Sequence, residues 1–235
     1  MTCWRSSRAH ALVASVILVS TLIACGSPEP SSSPAGSAAP KADERRTAPI
    51  ATRPRVVILG DSLTAGLGLP PDQAYPTLLQ ERLDKEGLKY EVVNAGVSGD
   101  TSAGGLARLD WALEGDVRVL IVALGGNDGL RGLPAEELKG NLSQIIERAQ
   151  KRHIQVMLAG MEAPPNFGQT YIVSFHGIYP DLAKQYKIPL VPFLLQGVAG
   201  IDALNQRDGI HPTAEGARIV ADNIWPVLRP MLKGS

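Results

Sequence analysis

Val56-Val57-Ile58-Leu59-Gly60-Asp61-Ser62-Leu63-Thr64-Ala65-Gly66 decides the fold. Four aliphatic residues in a row, two of them valine, read as a strand buried on both faces. The run stops at a glycine and an aspartate, and a serine follows. A strand buried on both faces belongs to a parallel sheet covered by helices. In such sheets ligands sit beyond the carboxyl ends of the strands. Ser62 falls at such an end.

The rest of the chain repeats the pattern. Apolar, β-rich runs recur at "YEVVNA" (90–95), "VRVLIVAL" (117–124), "IQVMLAG" (154–160) and "IPLVPF" (188–193). Between and after them lie helical stretches, roughly Asp72–Glu86, Thr101–Leu113, Ala135–Arg152, Tyr171–Tyr186 and Thr213–Leu232. In the third of these, Leu138, Leu142, Ile145, Ile146 and Ala149 share one face at helical spacing. Alternation of this kind predicts a three-layer α/β/α sandwich around a five-stranded parallel sheet. There is no internal repeat, and one domain is expected over residues 55–235.

The 235 residues are 44% hydrophobic and 20% charged, and the formal net charge is zero. With no block of Lys or Arg, the chain lacks the basic footprint of a nucleic-acid binder. The N-terminal segment reads differently. Arg5 and Arg8 precede an apolar run from Ala11 to Ala24. That run is shorter than the roughly 20 residues of a membrane span, and it suits the core of a secretory signal. Leu22-Ile23-Ala24-Cys25 resembles a bacterial lipobox, which implies cleavage before Cys25 and acylation of that cysteine. Ordinary cleavage near Ala24, leaving Cys25 as a free thiol, is the alternative.

Residues 25–54 are rich in Pro, Ser, Ala and Gly and read as a disordered linker that spans about 30 Å. The expectation is an exported lipoprotein, anchored in a membrane and facing the periplasm or the cell exterior. Losing residues 1–24 removes two of the 23 basic residues, leaving 21 against 23 acidic ones, a net charge of −2. Cys3 leaves with the signal, so Cys25 is the only cysteine left. The domain then has no disulfide, thiolate metal site or cysteine nucleophile.

The strand ends carry the candidate chemistry. Ser62 needs a base to become a nucleophile. Of the four histidines, His10 lies in the signal, His153 at a helix end and His176 within a helix. His211 lies in a loop after the last strand and is the best base. Asp208, in "Asp-Gly-Ile-His", can reach an imidazole nitrogen and fix the tautomer; it can equally cap a turn. Gly99 offers a backbone N–H and Asn127 a side-chain amide to a developing oxyanion. Both also suit tight loops. Asp61 and Asp128 flank these groups, and whether they assist the site or brace its loops stays open.

"GDSLTAG", "NAGVSGDTSAGGLARL", "LGGNDGLRG" and "DGIHPTAEG" together resemble the blocks of the SGNH (GDSL) hydrolase superfamily, over nearly all of the chain from Arg55 onward. "GGNDGLRG" and "AYPTLL" are similar to its bacterial lysophospholipase/acyl-CoA thioesterase/arylesterase group. "GMEAPPNFG" and "IYPDLAKQY" look more like the arylesterase branch.

The resemblance implies a flavodoxin-like sheet, with Ser62 as nucleophile, His211 as general base and then acid, and Asp208 as orienter. The Ser62 N–H, the Gly99 N–H and the Asn127 side chain would form the oxyanion hole. It also implies no metal and no cofactor. The loop after "GGND" would meet the acyl group, through Gly129, Leu130, Leu133 and Pro134, with Phe167 nearby. Apolar loop residues of this kind also serve simply as packing.

The function implied is a serine esterase working through an acyl-serine. Its substrates would be short-to-medium acyl or aryl esters, thioesters or lysophospholipids. A carbohydrate O-deacetylase or acyltransferase on the same scaffold, or a non-catalytic binding lipoprotein, are the alternatives. A monomer is expected.

Overall fold

The computed structural model describes residues 53–232. The expected signal, Cys25 and nearly all of the linker lie outside the described residues. Five parallel strands form one sheet: β1 (Arg55–Gly60), β2 (Glu91–Gly96), β3 (Val117–Ala123), β4 (Gln155–Ala159) and β5 (Leu190–Val191). Their order is β2-β1-β3-β4-β5. This is the flavodoxin-like order, whose switch point lies between β1 and β3. Val56 to Leu59 and Val119 to Val122 are fully buried, as central strands covered on both faces must be.

Eight helices accompany the strands among the described residues. They are α1 (Ser62–Ala65), α2 (Tyr75–Lys85), α3 (Ser102–Ala107), α4 (Leu109–Ala112), α5 (Gly126–Leu130), α6 (Ala135–Lys151), α7 (Gln169–Tyr186) and α8 (Ala214–Leu228). α2 packs on α8, and α6 packs on α3 and α7. In α6 the five residues of the expected apolar face are the five that are buried. Burial of each large aliphatic side chain contributes about 1.5–3 kcal/mol. Glu136 and Glu137 in the first turn of α6, and Arg148 and Lys151 in its last, complement the helix dipole.

Several boundaries differ from the sequence reading. The expected helix over 101–113 is two helices broken at Arg108, whose side chain is drawn to the sheet (below). Pro71–Gln73 forms a 3₁₀ turn, so α2 starts only at Tyr75. β5 pairs with β4 through Leu190 and Val191 alone. Pro192 follows directly and has no N–H to continue the ladder. α1 and α5 were not expected. A helix of one turn has no periodicity to detect.

Candidate active site

β1 ends at Gly60 because the chain must turn hard there. A Cβ on Gly60 would overlap the Thr64 side chain. Asp61 caps α1, its Oδ1 accepting from the Leu63 N–H at 3.0 Å. Gly66 closes the same turn in the left-handed region at φ 75°, donating to the Ser62 carbonyl. Thr64 Oγ1 and the buried Tyr75 hydroxyl, 2.6 Å apart, hold α1 to α2. Ser62 is the first residue of α1, so its N–H is a first-turn donor without an intrahelical acceptor.

The loop between β5 and α8 brings the base to this serine. His211 Nε2 lies 2.8 Å from Ser62 Oγ, and His211 Nδ1 lies 2.6 Å from Asp208 Oδ2. Asp208 Oδ1 accepts from the backbone N–H groups of Ile210 and His211, both at 3.0 Å. Asp208 thus caps its turn and orients the imidazole; both readings of the sequence hold together. These three hydrogen bonds hold the Asp208 carboxyl down at about 2, the Ile210 N–H first among them. Facing a carboxylate, Nδ1 carries the imidazole proton and Nε2 is left free to accept one from serine. Gln206 ties the loop to the nucleophile's turn, its Nε2 donating to the carbonyls of Leu67 (2.7 Å) and Pro212 (3.0 Å).

Asn127 lies in the first turn of α5, whose N-cap is the left-handed Gly125 at φ 115°. A side chain at Gly125 would strike the Tyr179 hydroxyl, which donates to the Leu124 carbonyl at 3.0 Å. Asn127 Nδ2 donates to the Asp100 carbonyl at 2.9 Å and faces Asp61 Oδ2 at 3.3 Å. Gly99 precedes Asp100 in that loop at φ 84°, so the bond to Asp100 sets the Gly99 loop beside the amide. Arg108 fastens the loop to the sheet. Its Nε meets Asp100 Oδ2 at 2.6 Å, and its two amino groups donate to the carbonyls of Ala95 and Gly60, each at 2.8 Å.

The two flanking aspartates differ. Asp128 is buried and is not among the residues that line the cleft of Ser62. It accepts from the Ser102 N–H (2.8 Å) and hydroxyl (2.5 Å), bracing α5 against α3. Asp61 is also buried, 2% exposed, but it lines the cleft that holds Ser62. Burial outweighs its hydrogen bonds and pushes its carboxyl up to about 6.

That cleft has a volume of about 150 Å³ and mostly apolar walls, among them Leu63, Leu130, Met161, Pro164, Leu195 and Ile210. Asp61, Ser62, Gly126, Asn127, Glu162 and His211 complete it. Leu67, Leu69 and Tyr75 line a crevice of only about 10 Å³ on the other side of Ser62. Of the expected acyl-contacting residues, Leu130 lines the larger cleft. The others are not among the residues lining it, because each has a packing partner behind or beside it. Gly129 is buried next to Phe175, the Leu133 carbonyl accepts from the Tyr171 hydroxyl at 2.8 Å, and the Phe167 ring lies over Gly132 and packs against Tyr171. Pro134 starts α6. His176 pairs with Glu162 at 2.8 Å on the exposed side of α7, and His153 is exposed after α6.

A serine, a histidine and a carboxylate in series, at the switch point of a parallel sheet and beside an amide donor, define a serine hydrolase of the α/β/α class. Comparison with known proteins gives the same class. Residues 58–219 match the GDSL-like Lipase/Acylhydrolase family, and the chain belongs to it. It is 46% identical to Esterase TesA of Pseudomonas aeruginosa over 75% of this chain and 89% of that one. It is 40% identical to Thioesterase 1/protease 1/lysophospholipase L1 of Escherichia coli K12, over 75% of this chain and 84% of that one. A crystal structure of TesA superposes with a TM-score of 0.73 at 45% identity, covering 76% of this chain and 99% of the other. The protein is a carboxylic-ester hydrolase of the GDSL/SGNH type.

Proposed function

We propose that the protein hydrolyses short-to-medium acyl and aryl esters, with Ser62 as nucleophile, His211 as base and then acid, and Asp208 as orienter. The continuous contact from Asp208 through His211 to Ser62 carries this reading. Ser62 Oγ attacks the carbonyl carbon as its proton passes to His211 Nε2. The negative charge that develops on the carbonyl oxygen is met by the Ser62 N–H, the Gly99 N–H and the second N–H of Asn127 Nδ2, which turns from its long 3.3 Å contact with Asp61 Oδ2 to do so. His211 returns its proton to the departing alkoxide or thiolate, leaving an acyl-serine. Water, deprotonated by the same nitrogen, then releases the acid and restores the serine.

The cleft supports the substrate range. About 150 Å³ is the size of a cavity that accommodates a benzene ring. An aryl or short acyl group fits it, and a long chain must continue over the surface. Leu67, Leu130 and Ile210, all exposed beyond the carboxyl edge of the sheet, offer apolar surface there. Turnover of p-nitrophenyl esters from acetate to laurate should peak at short chains and fall toward laurate. Leu130→Ala, which widens the cleft, should move the optimum to longer chains. Activity that rises steadily to laurate overturns the short-chain reading. No turnover of any ester by folded protein favours a specialised carbohydrate ester.

The same proposal places the enzyme on a membrane through acylated Cys25, since two or more acyl chains anchor stably where one binds marginally. In the native host, Cys25→Ser should move the protein from the membrane to the soluble fraction, with unchanged kcat/KM on a water-soluble ester. Wild-type protein found soluble in the host contradicts the anchor.

A further inference from the structure

An oxyanion donor has to present its N–H and not its carbonyl to the substrate. Asparagine can offer either end, and the two differ only by a flip of the amide. Two acceptors decide the matter here. The Asp100 carbonyl takes Asn127 Nδ2 at 2.9 Å, and Asp61 Oδ2 faces the same nitrogen at 3.3 Å. Flipping the amide would put the Asn127 oxygen against two acceptors, one of them a buried carboxylate. Gly126 permits the approach, since a Cβ on it would come within 3.2 Å of Asp61 Oδ2. Meanwhile Asp61 Oδ1 caps the turn that carries Ser62.

We propose that Asp61 is a positioning residue that couples the nucleophile to the oxyanion hole: one carboxylate oxygen sets the turn of Ser62, and the other holds the Asn127 amide with its nitrogen toward the reacting carbonyl. The inference rests on the roles given above to Ser62 and Asn127. It also has a pH consequence. The groups facing Asp61 are His211 from the loop before α8, Asn127 from α5, Tyr75 from α2 and, electrostatically, Tyr179 from α7. A proton on Asp61 weakens its hold on Asn127 Nδ2. Acid should therefore cost the wild type activity through Asp61, whose carboxyl is pushed up to about 6 by burial.

Asp61→Asn tests this. Its oxygen can keep the Leu63 N–H, but its NH₂ then faces the Asn127 NH₂, and the Asn127 amide is driven to flip. We expect kcat to fall about 10- to 100-fold with KM nearly unchanged. Asn127→Ala should lose about 10²–10³, the usual cost of one oxyanion donor. If Asp61 acts through Asn127, the double variant falls no further than Asn127→Ala alone. The acid limb of kcat/KM should also lose one proton in Asp61→Asn. Multiplying losses in the double variant, or a wild-type acid limb in Asp61→Asn, overturn the coupling. Asp61→Ser supplies a second route should Asp61→Asn fold poorly. It retains a good helix cap for Leu63 but lacks the second oxygen, so it should show the same kcat loss and the same non-additivity. Ser62→Ala run alongside separates the two levels: activity surviving there sinks the catalytic reading itself, whereas an inactive Ser62→Ala with multiplicative Asp61 losses sinks only the coupling.

Discussion

Ser62→Ala is expected to lower kcat by about 10⁶-fold on p-nitrophenyl acetate, the scale seen when a triad nucleophile is removed. The fold should survive. Ser62 does not cap its own helix; Asp61 does, through the Leu63 N–H, and Gly66 closes the far end. The only side-chain partner that Ser62 Oγ has among the described residues is His211 Nε2. Without the hydroxyl, that nitrogen still faces an open cleft where water can reach it, so no buried group is orphaned. Tm should stay within a few degrees of wild type. His211→Ala should cost a comparable factor, and the double variant little more, because nucleophile and base act as one unit. Retention of more than about 1% activity by Ser62→Ala, on a scale where triad removal costs about 10⁶, would remove Ser62 from the role of nucleophile. A collapsed Tm would show that the turn depends on the hydroxyl in a way that its hydrogen bonds do not reveal.

The residues to which the chemistry is assigned were legible in the sequence because their signals are local. Ser62, Asn127 and the Asp208/His211 pair each follow a buried apolar run, and a parallel sheet collects such positions on one edge. The parallel sheet and the face of α6 follow from the spacing of apolar residues, whereas the flavodoxin-like order came only with the family resemblance. What the sequence hid is made by pairs distant along the chain. Asp61 meets Asn127 across 66 residues, and Arg108 reaches the Gly60 carbonyl across 48. Nothing in "GGLARL" marks its arginine as the fastener of two strand ends.

The cleft walls were hidden for the same reason. Met161, Leu195 and Ile210 come from separate loops, and each alone reads as ordinary packing. Phe167, which reads as a cleft residue, is taken up by Gly132 and Tyr171. The short fifth strand was the exception. Pro192 stood in plain view as the residue that ends the ladder.

Asp208→Asn should be the more damaging of two substitutions at that position, and the reason lies in the turn. Asp208 is 46% exposed on its side chain, so simple loss of a buried charge is not at issue. Oδ1 accepts two backbone N–H groups, those of Ile210 and His211, while Oδ2 accepts His211 Nδ1. An asparagine there has one acceptor and one donor end. Its oxygen must take the two N–H groups, since turning the NH₂ toward them would set donor against donor. The NH₂ is thereby forced onto His211 Nδ1, which can then only accept. The imidazole proton moves to Nε2, the nitrogen that must take the serine proton, and the base is blocked. A wrong tautomer in an intact triad costs about 10⁴ in kcat, and a loss of about that order is expected here. Asp208→Ala leaves Nδ1 to water at an exposed edge and both tautomers accessible, so it should retain about 10-fold or more activity above Asp208→Asn, the tautomer block being worth up to that 10⁴. Measured kcat for the two variants decides it. Equal losses would mean that Asp208 acts chiefly by its charge, and a milder loss in Asp208→Asn would mean that the turn lets the amide rotate.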